Sequence, residues 1–250
     1  MKFKDGRSWH YQLQGDVASD IDADIVVIDI DTDPTHLLRS DRCVLAYLSI
    51  GEAEDYRDYW SLIHERRASW PLLLGENPDW PGNWAVRFWD QGWTFLMETR
   101  ADEARRKGFN GLYLDKLDVT EDMEVRWPNI AKAKDLKLAM IGLIGRIGAA
   151  APELEIIAQN GTHLLDSPGF QPLVDGLAIE DWLFGDPDTG VQNAPPQTFR
   201  MRNKVRDSGL PTVAVEYIND NNDIRYAARY FKSLNIPFFV ADESRELDGR

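Results

Sequence analysis

The sequence predicts an α/β fold, a single (β/α)8 TIM barrel over residues 1–250 with an elaborated loop and an extra short strand after strand 3. Two observations support this fold. Short apolar runs alternate with helical patterns along the chain, and acidic residues follow directly on several of those runs. Strands that alternate with helices indicate βα units around a parallel sheet. A length of 250 residues suits one such barrel.

Nine segments have the composition of strands. They are Trp9–Leu13, Ile25–Ile30, Val44–Ile50, Ala85–Trp89, Gly111–Leu114, Leu154–Ala158, Gly176–Ile179, Thr212–Tyr217 and Pro237–Val240. Continuous apolar runs among them are typical of strands buried on both faces of a parallel sheet. A closed barrel needs eight strands, so we assign Ala85–Trp89 to a loop over 51–92 that is rich in Trp, Pro and Gly. The alternative is an open doubly wound sheet, but no Gly-rich phosphate loop joins a strand to a helix here.

Three segments between the strands have helical patterns. Phe95–Lys107 begins apolar and ends basic, and Ala131–Ala150 carries apolar residues at helical spacing before Pro152 stops it. Ile224–Ser233 is the third. The charged segment Glu243–Arg250 is expected to fray, and no internal repeat or low-complexity linker is present.

Composition limits the classes of partner. The formal net charge is -14 and the pI is about 4.7, which repels phosphate backbones and anionic lipid, so we expect neither nucleic acid nor a membrane as partner. A neutral or cationic ligand is easier to bind, although acidity that only aids solubility is an equally good interpretation. The single cysteine, Cys43, allows no intramolecular disulfide and no multi-cysteine metal site.

Polar residues follow the apolar runs at the positions where strands should end. They include Asp29 and Asp31, Glu52, Asp115, Asn160, Glu180, Glu216 with Tyr217, and Asp242. The active site of a (β/α)8 barrel lies at the carboxyl ends of its strands. One such acid alone is better explained as a helix cap or an ion-pair partner. Several together favour a pocket lined by carboxylates.

Two chemistries use converging carboxylates. Asp29, Asp31, Asp115 and Glu180 offer oxygen ligands for Mg²⁺ or Ca²⁺, whereas the four histidines show no ligand-pair spacing. Glycoside hydrolysis instead needs one protonated and one ionised carboxyl group beside the scissile bond, together with aromatic platforms for sugar rings. Six of the nine tryptophans lie in or near the proposed insertion, which suggests a lined groove.

Several blocks of the sequence resemble glycoside hydrolase family 114, the endo-α-1,4-polygalactosaminidases. They are Ala46–Glu52, Tyr56–Trp60, Trp84–Trp93, Gly108–Asp115, Gln159–Gly161 and Ile179–Glu180. The block that ends at Asp115 is the most specific, and the others occur in the expected order over most of the chain. The family is similar to other retaining α-glycosidases in carrying one acid after strand four and another after strand six.

The resemblance implies roles for the two strand-end acids. Asp115 would be the nucleophile and Glu180 the general acid/base, with Asp118 as the competitor for the nucleophile. The implied substrate is an α-1,4-linked galactosamine polymer, whose ammonium groups an acidic rim would favour. No cofactor and no metal is implied. The first 15 residues contain no apolar stretch of signal-peptide type, yet family members are commonly exported, so the resemblance favours an extracytoplasmic location.

We expect the substrate pocket to bring together residues that follow different strands or lie in the insertion. They are Asp31, Tyr47, Glu52, Trp89, Asp118, Asn160, Glu216 and Tyr217. Helix capping or core packing is a comparable explanation for any one of them. We further expect a monomer, and a short, retaining-type separation of about 5–5.5 Å between the Asp115 and Glu180 carboxyl groups. Two alternatives remain, a non-catalytic carbohydrate-binding barrel and a metal-dependent hydrolase that uses the same acids.

Overall fold

A computed structural model describes residues 1–185 and 192–249. Eight parallel strands form one sheet, in which each strand pairs with the next one along the sheet order. They are β1 (Trp9–Tyr11), β2 (Ile25–Asp29), β3 (Cys43–Ser49), β7 (Gly111–Asp115), β8 (Glu155–Gln159), β9 (Gly176–Glu180), β10 (Thr212–Tyr217) and β11 (Phe238–Ala241). Three further strands, β4 to β6, belong to an insertion described below.

The two edges of this sheet meet, so that it forms a nearly closed barrel. The Phe239 ring on β11 lies 5.8 Å from the Trp9 ring and 5.2 Å from the His10 ring, both on β1. The Trp9 indole Nε1 also donates a hydrogen bond of 3.1 Å to the carbonyl of Ala214 on β10. The predicted (β/α)8 fold is confirmed, with Asp115 at the end of the fourth barrel strand and Glu180 at the end of the sixth.

The barrel interior is filled by every second residue of each strand, as the β pleat requires. Near the carboxyl ends this layer is a group of tyrosines. The ring of Tyr113 lies 5.1 Å from that of Tyr11 and 6.4 Å from that of Tyr47. Asp115 is two residues beyond Tyr113, so it points to the same interior side. The tyrosine layer is therefore the floor beneath the strand ends.

The elaborated loop after β3 contains a small antiparallel sheet of three strands, whereas one extra strand was predicted there. Its strands are β4 (Glu52–Glu54), β5 (Leu73–Glu76) and β6 (Asn83–Val86), in the order β4-β6-β5, with α1 (Trp60–Glu65) between the first two. The strand predicted over Ala85–Trp89 corresponds to β6 but begins and ends earlier. β4 and β5 have only three and four residues, too few for apolar alternation to reveal them.

The helices pack around the barrel. They are α2 (Gln91–Lys107), α3 (Val119–Arg126), α4 (Pro128–Ala133), α5 (Leu136–Ala150), α6 (Pro195–Ser208) and α7 (Asn221–Leu234). α2 begins four residues before the predicted start because the Asp90 carboxylate caps it, accepting from the backbone N–H groups of Gly92 and Trp93. The helix predicted over Ala131–Ala150 is broken, because Asp135 caps a new helix by accepting from Leu138 N at 3.0 Å.

The helical layer is incomplete. Within 1–185 and 192–249, no α-helix lies between β1 and β2 or between β2 and β3, and only two short 3-10 turns separate β8 from β9. None of the helices in those same residues is long and apolar enough to cross a membrane. The strands, rather than a regular ring of helices, therefore define where the site lies.

The segment after β11, expected to fray, is instead held against the residues that follow β1. The carbonyl of Leu247 accepts hydrogen bonds from Leu13 N at 2.8 Å and Gln14 N at 3.1 Å. Gly249, at φ 87°, lies so close to Gln12 that a Cβ there would be 2.9 Å from Nε2. The expectation of fraying was wrong, because charged side chains say nothing about backbone hydrogen bonds.

Candidate active site

A cavity of about 730 Å³ opens at the carboxyl ends of the barrel strands. Its wall combines residues from strand ends, from the insertion after β3 and from the segment after β11. The lining includes Tyr11, Asp29, Asp31, Tyr47, Glu54, Tyr56, Arg57, Trp80, Asn83, Asp115, Lys116, Asp118, Gln159, Asn160, Glu180, Tyr217, Arg245, Glu246 and Leu247. Both predicted catalytic acids therefore face one cavity.

Asp115 is the last residue of β7 and is almost fully buried. The hydroxyl of Tyr47 donates to its Oδ2 at 2.6 Å, and the backbone N–H of Lys116 donates to its Oδ1 at 2.6 Å. Lys116 has a left-handed backbone with φ 62°, a conformation that costs a non-glycine residue free energy and is concentrated at functional sites. The two hydrogen bonds stabilise a negative charge on Asp115 and fix the direction of its carboxylate.

Glu180, the last residue of β9, is held by neighbours on both sides. The hydroxyl of Tyr217 donates to its Oε1, and the side-chain amide of Asn160 donates to its Oε2 at 3.3 Å. Asn160 also accepts from the backbone N–H of Glu180 at 3.0 Å through its Oδ1. Asn160, after β8, and Asp181, after β9, have φ angles of 52° and 51°. Left-handed residues thus follow β7, β8 and β9, the strands that carry the site.

The environment of Glu180 favours its protonated form. Burial, and after it the negative charge of Asp115, raises the pKa of Glu180 to about 7, against the opposing effects of the Tyr217 hydrogen bond and the Arg245 charge. At neutral pH a large fraction of Glu180 therefore carries a proton. Such a carboxyl group has the properties of a general acid.

Asp118 lines the same cavity, one turn of chain beyond Asp115. Burial raises the pKa of Asp118 to about 7, while the nearby Lys116 opposes the rise. Although burial opposes it, the charges of Asp115 and Glu52 raise the pKa of Lys116. Lys116 is thus a fixed positive charge among three acidic side chains.

One side of the cavity is a cluster of carboxylates around Arg57. Its guanidinium bonds both oxygens of Asp29 at 2.7 Å, Asp31 Oδ2 at 2.7 Å and Glu54 Oε2 at 2.7 Å. Asp31 also accepts from Arg100. These bonds lower the pKa of Asp31 in spite of its partial burial. In the described ranges no group of three or more His, Cys, Asp or Glu residues is arranged to hold a metal ion.

Two aromatic side chains give the cavity an exposed apolar surface. Tyr56 is 66% exposed, with its hydroxyl bonded to Glu54 at 2.6 Å and its ring 4.8 Å from the Arg57 guanidinium. Trp80 is 38% exposed. Flat aromatic faces of this kind are what a sugar ring packs against.

Trp89, predicted to bind substrate, lies elsewhere. Its ring packs edge-on against Phe88 at 5.1 Å, with the Lys134 ammonium 5.9 Å from its centre. It lines a shallow depression beside α2 and α5. Trp89 lies outside the cavity wall because β6 ends at Val86, so it belongs to the turn that leads into α2 rather than to a strand end.

Glu216 and Glu52 are also absent from the cavity wall. Glu216 precedes the inward-facing Tyr217 on β10, so the pleat turns it outward, where its oxygens accept from Leu183 N at 2.9 Å and Phe184 N at 3.2 Å. Burial raises the pKa of Glu216 to about 8. Glu52 is buried, accepts from Asn77 at 2.9 Å and lies 3.6 Å from the Lys116 ammonium. The prediction that these two line the pocket was wrong.

The other predicted residues meet at the cavity. Asp31, Tyr47, Asp118, Asn160 and Tyr217 line it together with Asp115 and Glu180. Several lining residues had not been predicted from the sequence; they are Tyr11, Tyr56, Arg57, Lys116, Gln159 and Arg245. Gln159 could have been predicted from the alternation of side chains along a strand, because it lies two residues after Ile157, which faces the barrel interior. No sequence pattern pointed to Arg245 as a cavity residue, because it lies in a charged segment after the last strand.

The profile of glycoside hydrolase family GH114 matches residues 1–249. The chain belongs to the GH114 glycoside hydrolases. A relative of this GH114 chain, the uncharacterised protein MJ1477 of Methanocaldococcus jannaschii, is 31% identical over 271 aligned positions, which cover 96% of this chain and 77% of the relative.

Solved structures of the same fold include a glycoside hydrolase domain and a protein in complex with galactosamine. The glycoside hydrolase domain of PelA from Pseudomonas aeruginosa superposes with a TM-score of 0.78 at 20% identity, covering 97% of this chain and 96% of that domain. Ega3 of Aspergillus fumigatus, in complex with galactosamine, gives a TM-score of 0.73 at 18% identity, covering 94% and 91%. At these identities the likeness establishes the shared barrel.

Proposed function

We propose that this GH114 chain is a retaining endo-α-1,4-galactosaminidase that acts on galactosamine-containing polysaccharide, with Asp115 as nucleophile and Glu180 as general acid/base. The observation that carries the proposal is the pair itself. Two carboxyl groups face one cavity, one stabilised as an anion by two hydrogen bonds and the other with its pKa raised to about 7. A retaining glycosidase needs such a pair.

In the first step Asp115 attacks the anomeric carbon while Glu180 gives its proton to the glycosidic oxygen. A bond forms between the Asp115 carboxylate and the anomeric carbon, and the bond from that carbon to the leaving oxygen breaks. In the second step Glu180, now ionised, takes a proton from water as the water attacks the anomeric carbon and releases Asp115. Tyr47 and Tyr217 hold the two carboxylates in place through the hydrogen bonds described above.

Asp115 is a better nucleophile than Asp118 in this site. It ends a barrel strand and points inward over the tyrosine floor. The raised pKa of Asp118, about 7, leaves much of that carboxyl group protonated at neutral pH, which makes it a poorer nucleophile. We assign Asp118 to substrate contact, together with Asp31, Tyr47, Asn160 and Tyr217.

The charge of the cavity supports an amino sugar as substrate. Among the described lining residues, seven acidic side chains accompany three basic ones. Ammonium groups of a de-N-acetylated polymer would meet a negative potential there, each exposed pair contributing about 1 kcal/mol or less. The galactosamine bound by the structurally similar Ega3 supports the same sugar. Tyr56 and Trp80 supply faces on which its rings can stack.

The proposal is tested by incubating the purified protein with an α-1,4-galactosamine polymer and measuring reducing ends and early product lengths. Internal cleavage predicts a broad mixture of oligomers from the first minutes. The variants D115N and E180Q should bind the polymer without releasing reducing ends. Binding of polymer by the wild-type protein with no release of reducing ends would instead indicate a non-catalytic carbohydrate-binding barrel, and sensitivity to chelators would indicate metal-dependent hydrolysis.

A further inference from the structure

The segment after β11 brings a cation to the candidate active site. The guanidinium of Arg245 lies 4.2 Å from the centre of the Tyr217 ring. Its Nη2 donates to Asp181 Oδ1 at 2.6 Å, and only 16% of the side chain is exposed. This stacked and hydrogen-bonded geometry suits a guanidinium better than an ammonium.

The backbone around Arg245 is built to hold that side chain. Arg245 has φ 60°, and its N–H donates to the carbonyl of Asp242 at 3.0 Å in a tight turn. Two residues later, Leu247 also has a positive φ, and its carbonyl accepts hydrogen bonds from Leu13 N and Gln14 N, just after β1. A left-handed backbone costs a residue other than glycine conformational free energy. The β1 contacts offset that cost and fix Arg245 over the cavity.

Arg245 contacts Tyr217 and Asp181, the two residues that link it to Glu180. Tyr217 carries the hydroxyl that bonds Glu180 Oε1, and Asp181 follows Glu180 directly in the chain. We propose that Arg245 is a positioning residue for Glu180, fixing the Tyr217 ring and balancing the charge of Asp181 at the general acid/base. This inference rests on the proposed function for the role of Glu180, but the contacts themselves do not.

The charges around Glu180 make the idea testable. The titratable groups that act on it or are acted on by it come from several elements and are Tyr11, Tyr113, Asp115, Lys116, Asp181, Tyr217 and Arg245. Among them, Asp181 and Arg245 form an ion pair but act on Glu180 in opposite directions. Asp181 favours the protonated carboxyl group and Arg245 the ionised one. Removing each partner should therefore move the titration of Glu180 in opposite directions.

The test is an NMR titration of protein labelled with ¹³C at the glutamate side-chain carboxyl, with the Glu180 signal identified by its loss in E180Q. The wild-type midpoint is expected near 7. We expect a higher midpoint in R245Q and a lower one in D181N. R225Q removes the same charge from the exposed face of α7 and should leave the midpoint unchanged. Equal midpoints in wild type, R245Q and D181N, or shifts of the same sign, would overturn the proposal.

Kinetics on the galactosamine polymer provide the second readout. R245K keeps the charge but loses the flat stack on Tyr217, so it should raise the titration midpoint less than R245Q does and lose about tenfold in kcat with KM little changed. Unchanged kcat in R245K would refute the role in holding Tyr217. The NMR titration needs no turnover, so a wild-type protein inactive on the polymer would defeat the proposed function while the positioning role would still be decided. If R245Q fails to fold, the midpoint and the kcat of R245K still decide the role of Arg245.

Discussion

The hydroxyl of Tyr47 lies 2.6 Å from Oδ2 of Asp115 and donates a hydrogen bond to it. The two residues are on neighbouring barrel strands, where Tyr47 on β3 pairs in register with Tyr113 on β7, two residues before Asp115. A tyrosine from one strand thus orients the carboxylate of the next. Glu180 on β9 is oriented in the same way by Tyr217 on β10. Each of the two acids therefore accepts a hydrogen bond from a tyrosine of an adjacent strand.

Removing this hydroxyl should weaken catalysis without unfolding the protein. We expect Y47F to lower kcat/KM by about 10- to 100-fold, the loss typical of one hydrogen bond to a charged group. The measurement is the rate of reducing-end release from the polymer. Y226F, which removes a hydroxyl from α7 outside the cavity, is the matched control and should keep the wild-type rate. Equal rates for Y47F and Y226F would show that Tyr47 does not support Asp115.

The raised pKa of Glu180 predicts the alkaline limit of activity. Glu180 must be protonated to act as general acid, and that form is lost as the pH rises through about 7. We therefore expect kcat/KM on the polymer to fall above pH of about 7. On a substrate whose leaving group needs no proton, E180Q should keep measurable activity with no decline in this range. A wild-type profile that stays flat to pH of about 9 would contradict the assignment of Glu180.

Trp80 lines the cavity and Trp89 does not, although the sequence around the two residues is similar. W80A should raise KM for the polymer by about 5- to 30-fold, because a stacking face worth about 1–2 kcal/mol is lost from the cavity. W89A removes an equally large ring outside the cavity and should leave KM unchanged. The comparison is made by initial-rate kinetics on the same polymer. A larger effect from W89A than from W80A would mean that substrate crosses α2 and α5 instead.

Buried Glu216 should make the folded state lose stability as the pH rises. Its pKa is raised to about 8 in the folded protein, mainly by burial. A carboxyl group with a raised folded pKa contributes stability that is complete below its unfolded value and is lost as pH rises through the folded value. E216Q should therefore show a smaller fall in the free energy of unfolding between pH 5 and 8 than wild type, measured by urea denaturation. E124Q, on the exposed face of α3, should match wild type, and an equal fall in E216Q would contradict the buried, protonated state.

Local sequence rules located the main acids because apolar runs mark where barrel strands end. Asp115 and Glu180 directly follow such runs, and Tyr47 lies within one. The same rule failed for Glu216, which also follows an apolar run. Successive residues of a strand face opposite sides of the sheet, and on β10 the inward position falls on Tyr217 rather than on Glu216. Which residues of a strand face the barrel interior is set by packing against both neighbouring strands.

Residues outside the barrel strands were harder to predict for a different reason. Trp80 and Trp89 have similar Trp, Pro and Gly surroundings, and only the pairing of β4, β6 and β5 decides which one faces the cavity. Arg245 reaches the site through backbone hydrogen bonds between Leu247 and the end of β1. These contacts join positions more than 200 residues apart, and no local pattern encodes them.

Capture of the covalent intermediate would show which carboxylate attacks the sugar. The protein is treated with a fluorinated galactosaminyl donor that forms the glycosyl-enzyme faster than it is hydrolysed, and the digested protein is analysed by mass spectrometry. We expect one added sugar on the peptide that carries Asp115, absent in D115N and present in D118N. A sugar attached to Asp118, or a product of inverted anomeric configuration with no attached sugar, would contradict it.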